Sequence, residues 1–172
     1  MLVLAGAAPA PGAAVISPAG TAYLSISASA EYSSSFNPRN LFNSDVTGLA
    51  PGTSTDSTKD WAVPGTGPAY LEFELDEVYQ VGSLFYAQRV GGIPAHDKVD
   101  LVSIWARTST PFSPADPGTL PLRTLTITNK QSGIWAEYPL SAPVSGRYFL
   151  LKFEQNPIVG GNIGGNELRL GL

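Results

Sequence analysis

Apolar and polar residues alternate strictly through Ala69–Leu75 (AYLEFEL), with Leu71, Phe73 and Leu75 on one face and Glu72 and Glu74 on the other. A period of two is the mark of a β-strand with one buried face. The same period runs through Ala22–Ala30 (AYLSISASA). There it predicts Leu24, Ile26 and Ala28 on the inner face and Tyr23, Ser25 and Ser27 on the outer one. Val81–Arg89 (VGSLFYAQR) and Val99–Arg107 (VDLVSIWAR) are apolar on both faces, as strands covered on two sides are. Leu122–Thr128 is rich in β-branched residues, and Arg147–Phe153 and Glu167–Leu172 complete the set. Helical spacing is almost absent, so the pattern predicts an all-β, antiparallel sandwich.

Composition sharpens this picture. With 18 Gly and 15 Pro in 172 residues, the chain is interrupted too often for long helices. A hydrophobic fraction of 43% is ample for the core of one domain. No linker-like composition divides residues 21–172, which are read as that domain, preceded by an Ala/Pro/Gly-rich arm over 1–20. The arm opens MLVLAGAAPAPGAA, faintly like a secretion signal but without its basic start or a long enough apolar run. It is read as an ordered arm or an appended junction. The connections 43–59, 90–98 and 155–166 are long and polar, and 108–118 is punctuated by Pro and is expected to run over the surface.

Charge and chemistry exclude several classes. The net charge is −4 and the ten Lys and Arg residues are scattered, so no cationic track for nucleic acid is present. No apolar stretch reaches the ~20 residues of a membrane-spanning helix. Without cysteine there are no disulfides, thiolate metal sites or thiol nucleophiles. There is a single His and no nucleophile elbow, two-His metal motif or phosphate loop. Glu72 and Glu74, on the outer face of one strand, read as solvated and not as a hydrolytic pair. A binding protein is expected, with no catalytic residues.

Several segments, in order, resemble the discoidin (coagulation factor 5/8 type C) domains and the family 32 carbohydrate-binding modules. Asn40-Leu41-Phe42 followed by Asp45 is similar to the family's early Asn-Leu-Phe-Asp-Gly turn. Asp60-Trp61 and then Tyr70–Leu75 resemble its tryptophan and the strand after it. Phe85–Arg89 resembles the strand ending in Tyr-x-x-Arg, and Val102–Ala106 the one that follows. Gly146–Leu151 and Glu167–Leu170 resemble the last two strands. The resemblance spans 21–172 and implies a galactose-binding-domain-like jelly roll of about eight strands. Where the family has Asp-Gly, this chain has Asn43-Ser44, with the carboxylate two residues later at Asp45.

The resemblance also implies sites. A structural calcium would be held by Asp45 and Glu167, with carbonyls of the 40–47 loop and hydroxyls such as Thr47. Alternatively Asp45 caps its own turn and Glu167 pairs with a base such as Arg39. A galactose-type sugar would be held by Arg89, His96 and Asn162, with Asp97 and Asn166 close by. Alternatively Arg89 pairs with Asp97 and His96 is merely solvated. Trp61 and Trp105 are expected in the core, and Trp135 beneath a loop at 139–146.

Two functions follow from this reading. One is a glycan-binding module at the cell exterior, whose partner is a glycan or glycoprotein. The other is a structural component, such as a virion decoration or tail protein, assembling into oligomers through residues 1–20. The same fold hosts both kinds of role.

Overall fold

The computed structural model describes residues 15–16, 22–42, 60–65, 67–91, 98–112, 117–155 and 161–172. Its strands are β1 (Tyr23–Ala28), β2 (Trp61–Pro64), β3 (Ala69–Ala87), β4 (Leu101–Arg107), β5 (Arg123–Thr126), β6 (Trp135–Glu154), β7 (Asn162–Gly165) and β8 (Glu167–Gly171). Two short 3-10 turns, Ser34–Phe36 and Pro38–Phe42, are the helical elements of the described residues. None is long and apolar enough to cross a membrane. All strand pairs are antiparallel, in a main sheet ordered β1-β3-β6-β4-β5 with β8 also on β3, and a two-stranded β2-β7 sheet.

Two expected boundaries move. The segments 69–75 and 81–89 are one strand, and the expected 139–146 loop is the middle of β6. The long β3–β6 ladder bends over on itself. Tyr86 and Phe153 lie at its opposite ends, and in a flat ladder at ~3.3 Å per residue they would stand on the order of 50 Å apart. Their rings are 5.8 Å apart. The bend is made where the pairing register shifts, between Glu74 and Tyr79 and between Val81 and Ser83. Strands that switch layers through such irregularities form the corners of a sandwich. Gly146 sits at the corner because a Cβ there would lie 2.8 Å from the Ala106 Cβ.

The inward faces meet as predicted. Leu71, Phe73, Leu75, Ile104 and Leu151 are buried in one core with Trp61, Leu84, Tyr86, Phe149, Leu168 and Leu170. In β1 one assignment is reversed. Leu24 is 47% exposed, while Tyr23 packs on Phe42 at 4.6 Å and on Phe73 at 5.7 Å. The register shift between Tyr23 and Ser25 is the cause, since one extra residue turns a side chain to the other face.

The apolar outer face of β4 has a cover of its own. Trp105 packs with Leu150 and Phe112, flanked by Tyr70 and Tyr148, in a second cluster. The Pro-rich connection after β4 folds back to build it. The Trp105 indole N–H donates to Thr119 O (2.9 Å), and Arg107 donates to the Pro111 and Pro117 carbonyls. Trp105 is therefore buried as expected, but outside the main core.

Two residues of the predicted arm, Val15 and Ile16, are described, and both touch the domain. Val15 bridges to Gly171 on the edge of β8, the Ile16 N–H donates to Leu170 O (2.9 Å), and the Ile16 side chain is buried in the main core. Ile16→Ala is expected to cost about 2–5 kcal/mol of stability, measured by urea unfolding. A cost below about 0.5 kcal/mol would show that this segment does not pack there.

Candidate functional site

The end of β3, the start of β2, the β7–β8 junction and the segment before β4 converge at one end of the sandwich. Asp60, immediately before β2, is at their centre and is fully buried. Its carboxylate accepts from the Val90 N–H (3.1 Å), the Gly91 N–H (2.7 Å) and the Asn166 side-chain amide (3.0 Å). The Arg89 Nε lies 3.6 Å away, and that side chain is only 4% exposed. The Asn40 amide donates to the Asp60 carbonyl (2.9 Å), tying in the 38–42 turn.

Burial pushes the Asp60 carboxyl above the ordinary carboxylate range, while Asn166, the two backbone N–H groups and Arg89 pull it back. Each of these donors stabilises the ionised form. The arrangement is a buried polar cluster drawn from four segments of the chain.

A second set of bonds secures the other root of the 92–97 loop. The Gln88 amide donates to Val99 O (2.8 Å), and the Val99 N–H donates back to Gln88 Oε1 (3.0 Å). The Lys98 ammonium donates to Arg89 O (3.2 Å) and to Ser132 Oγ (2.6 Å). The residues on both sides of 92–97 are thus tied into the domain through buried groups.

The expected site residues fall as follows. Arg89 is at this end but is buried against Asp60, in a pairing the sequence reading did not anticipate. Asn162 is half-buried at the start of β7 opposite Pro64, at the other end of that strand from Asn166. It is therefore Asn166, and not Asn162, that joins Arg89. His96, Asp97 and Asp45 lie outside the described residues. Asp60 carried a usable signal, because an acidic residue set directly before a buried tryptophan has no ordinary place in a core.

No family model and no curated protein matches the sequence. Solved structures do match the backbone. A factor 5/8 type C domain from Bacteroides fragilis is similar with a TM-score of 0.68 at 13% identity, over 94% of this chain and 97% of that one. The fold is the discoidin-like, galactose-binding-like jelly roll. The family 32 module of Clostridium perfringens NanJ, solved in complex with galactose, is similar with a TM-score of 0.56 at 13% identity, over 85% of this chain and 91% of that one. A fucolectin from striped bass (Morone saxatilis) gives 0.58 at 13% identity, over 86% of this chain and 46% of the lectin chain.

Of the two expected calcium ligands, Asp45 lies outside the described residues and Glu167 within them. Glu167 is buried on β8 with its carboxylate 3.1 Å from the Arg169 guanidinium and not beside Arg39 as its alternative partner. Trp135, expected beneath a loop, is buried with its ring 5.3 Å from the same guanidinium. The described residues hold no group of three or more His, Cys, Asp or Glu side chains placed for a metal.

Proposed function

We propose that this chain is a non-catalytic carbohydrate-binding module, whose site is the 92–97 loop and its surroundings at the Asp60 end of the sandwich. The observation that carries the reading is the double anchorage of that loop by Asp60 and Lys98. The similarity in fold to modules solved with sugars supports the same reading.

His96 and Asp97 are the proposed contacts for the sugar hydroxyls, and galactose-type glycans the proposed ligands. Arg89 enters as a supporting residue, buried with its Nε 3.6 Å from the Asp60 carboxylate. The setting proposed for such a module is the cell exterior, where glycans are displayed.

A glycan panel tests this. Binding is expected toward the millimolar end, roughly −4 kcal/mol, because a shallow single site buries little area. His96→Ala is expected to abolish it with the melting temperature unchanged, whereas Arg89→Ala should lower both binding and stability. A panel with no response from the folded wild-type protein would sink the proposal. The assembly reading gains nothing from the described part of the arm, which packs on its own domain.

A further inference from the structure

We propose that Arg169 supplies, from within the chain, the positive charge at the junction between the 38–42 turn and the closing strand, so that this domain folds without calcium. Glu167 and Arg169 are two residues apart on β8, so both side chains leave the same face of the strand. The alternate residues Leu168 and Leu170 fill the core. Opposite Glu167 across the ladder is Ala87, whose other neighbour is Trp135. The Arg169 guanidinium therefore lies on the same outer face as the Trp135 ring, with its carbon 5.3 Å from the ring centre.

One nitrogen of that guanidinium does the work a metal would do. Nη1 donates to the Leu41 carbonyl at 2.9 Å and stands 3.1 Å from Glu167 Oε2. It also donates to the Leu168 carbonyl. A carboxylate and a turn carbonyl are the oxygens a hard dication would seek. Here they converge on a nitrogen cation. Arg169 and Glu167 are 4% and 2% exposed, so solvent and salt screen the site weakly. A dication seated on Glu167 would face a fixed like charge at close range, in a setting where that repulsion is large.

A guanidinium keeps its proton in a protein, so the cation here is fixed. The chain thus closes the turn onto the last strand with its own ion pair, beside a stretch where Asn43-Ser44 replaces the family's Asp-Gly.

The test is thermal melting of the full chain in chelator and in millimolar calcium, with terbium luminescence as a direct probe of a lanthanide-accepting site. The wild-type curves are expected to coincide, with no saturable terbium signal that depends on Glu167. Arg169→Met and Glu167→Gln should each lower the melting temperature. The double variant R169M/E167Q should lose less than the sum of the single effects, because no buried charge is then left alone. A calcium-dependent rise in the wild-type melting temperature that disappears in E167Q would overturn the proposal. So would an R169M protein as stable as wild type. A calcium effect that survives E167Q would also overturn it, since the domain would then draw stability from the metal through other oxygens.

Discussion

Replacing Asp60 with alanine is expected to cost about 3–5 kcal/mol of folding stability, the range for breaking a buried pair by removing one partner. The carboxylate is fully buried and serves Val90, Gly91 and Asn166, with Arg89 alongside. Its loss leaves each of these donors in a dry environment with an acceptor missing, and removes the carboxylate that lies 3.6 Å from Arg89 Nε. Equilibrium urea unfolding of wild type and variant measures the difference. Asp60→Asn keeps the size but removes the charge and one acceptor, and should fall between the two. A cost below about 1 kcal/mol for Asp60→Ala would mean that water or rearrangement satisfies the cluster, and that the 92–97 loop is not anchored as described.

Phe73→Ala is expected to cost about 3–5 kcal/mol through lost transfer energy and the cavity left behind. Phe73 is 3% exposed and lies at the centre of an aromatic group. Its ring stacks on Phe149 at 5.4 Å and meets Phe42 at 5.5 Å and Tyr23 at 5.7 Å. Those neighbours belong to β6, the 38–42 turn and β1, so the site cannot collapse by moving a single element. Leu24→Ala is the matched control. Leu24 is nearly half exposed after the β1 irregularity, and its truncation should stay within about 0.5 kcal/mol. If Leu24→Ala cost as much as Phe73→Ala, the register of β1 would be the strictly alternating one and the bulge would not exist.

Much of the architecture was legible from the chain alone, and for a definite reason. Alternation with period two reports which side of a strand is dry, and that depends only on the residues of the strand itself. Leu71, Phe73 and Leu75 were assigned inward on that basis and are inward. Frequent Gly and Pro ruled out long helices in the same local way. The ordered resemblance pointed to the discoidin-like fold, which the structural similarity shows.

What escaped the sequence depended on partners distant along the chain. Alternation cannot say that 69–75 and 81–89 are one bent strand, because the bend is set by where two long strands slip in register. Nor can it see a bulge, which turned Tyr23 inward and Leu24 outward at the price of one residue. The outer cover of Trp105 came from a Pro-rich connection whose polar appearance concealed Phe112. The polar clusters were hidden most completely. Asn166 reaches Asp60 across 106 residues of sequence, and Arg169 reaches Leu41 across 128. Residue identity showed that Arg89 and Glu167 carry charge. Only the tertiary structure decided that each is buried against an opposite charge, because burial and distance are properties of the packed chain and not of its order.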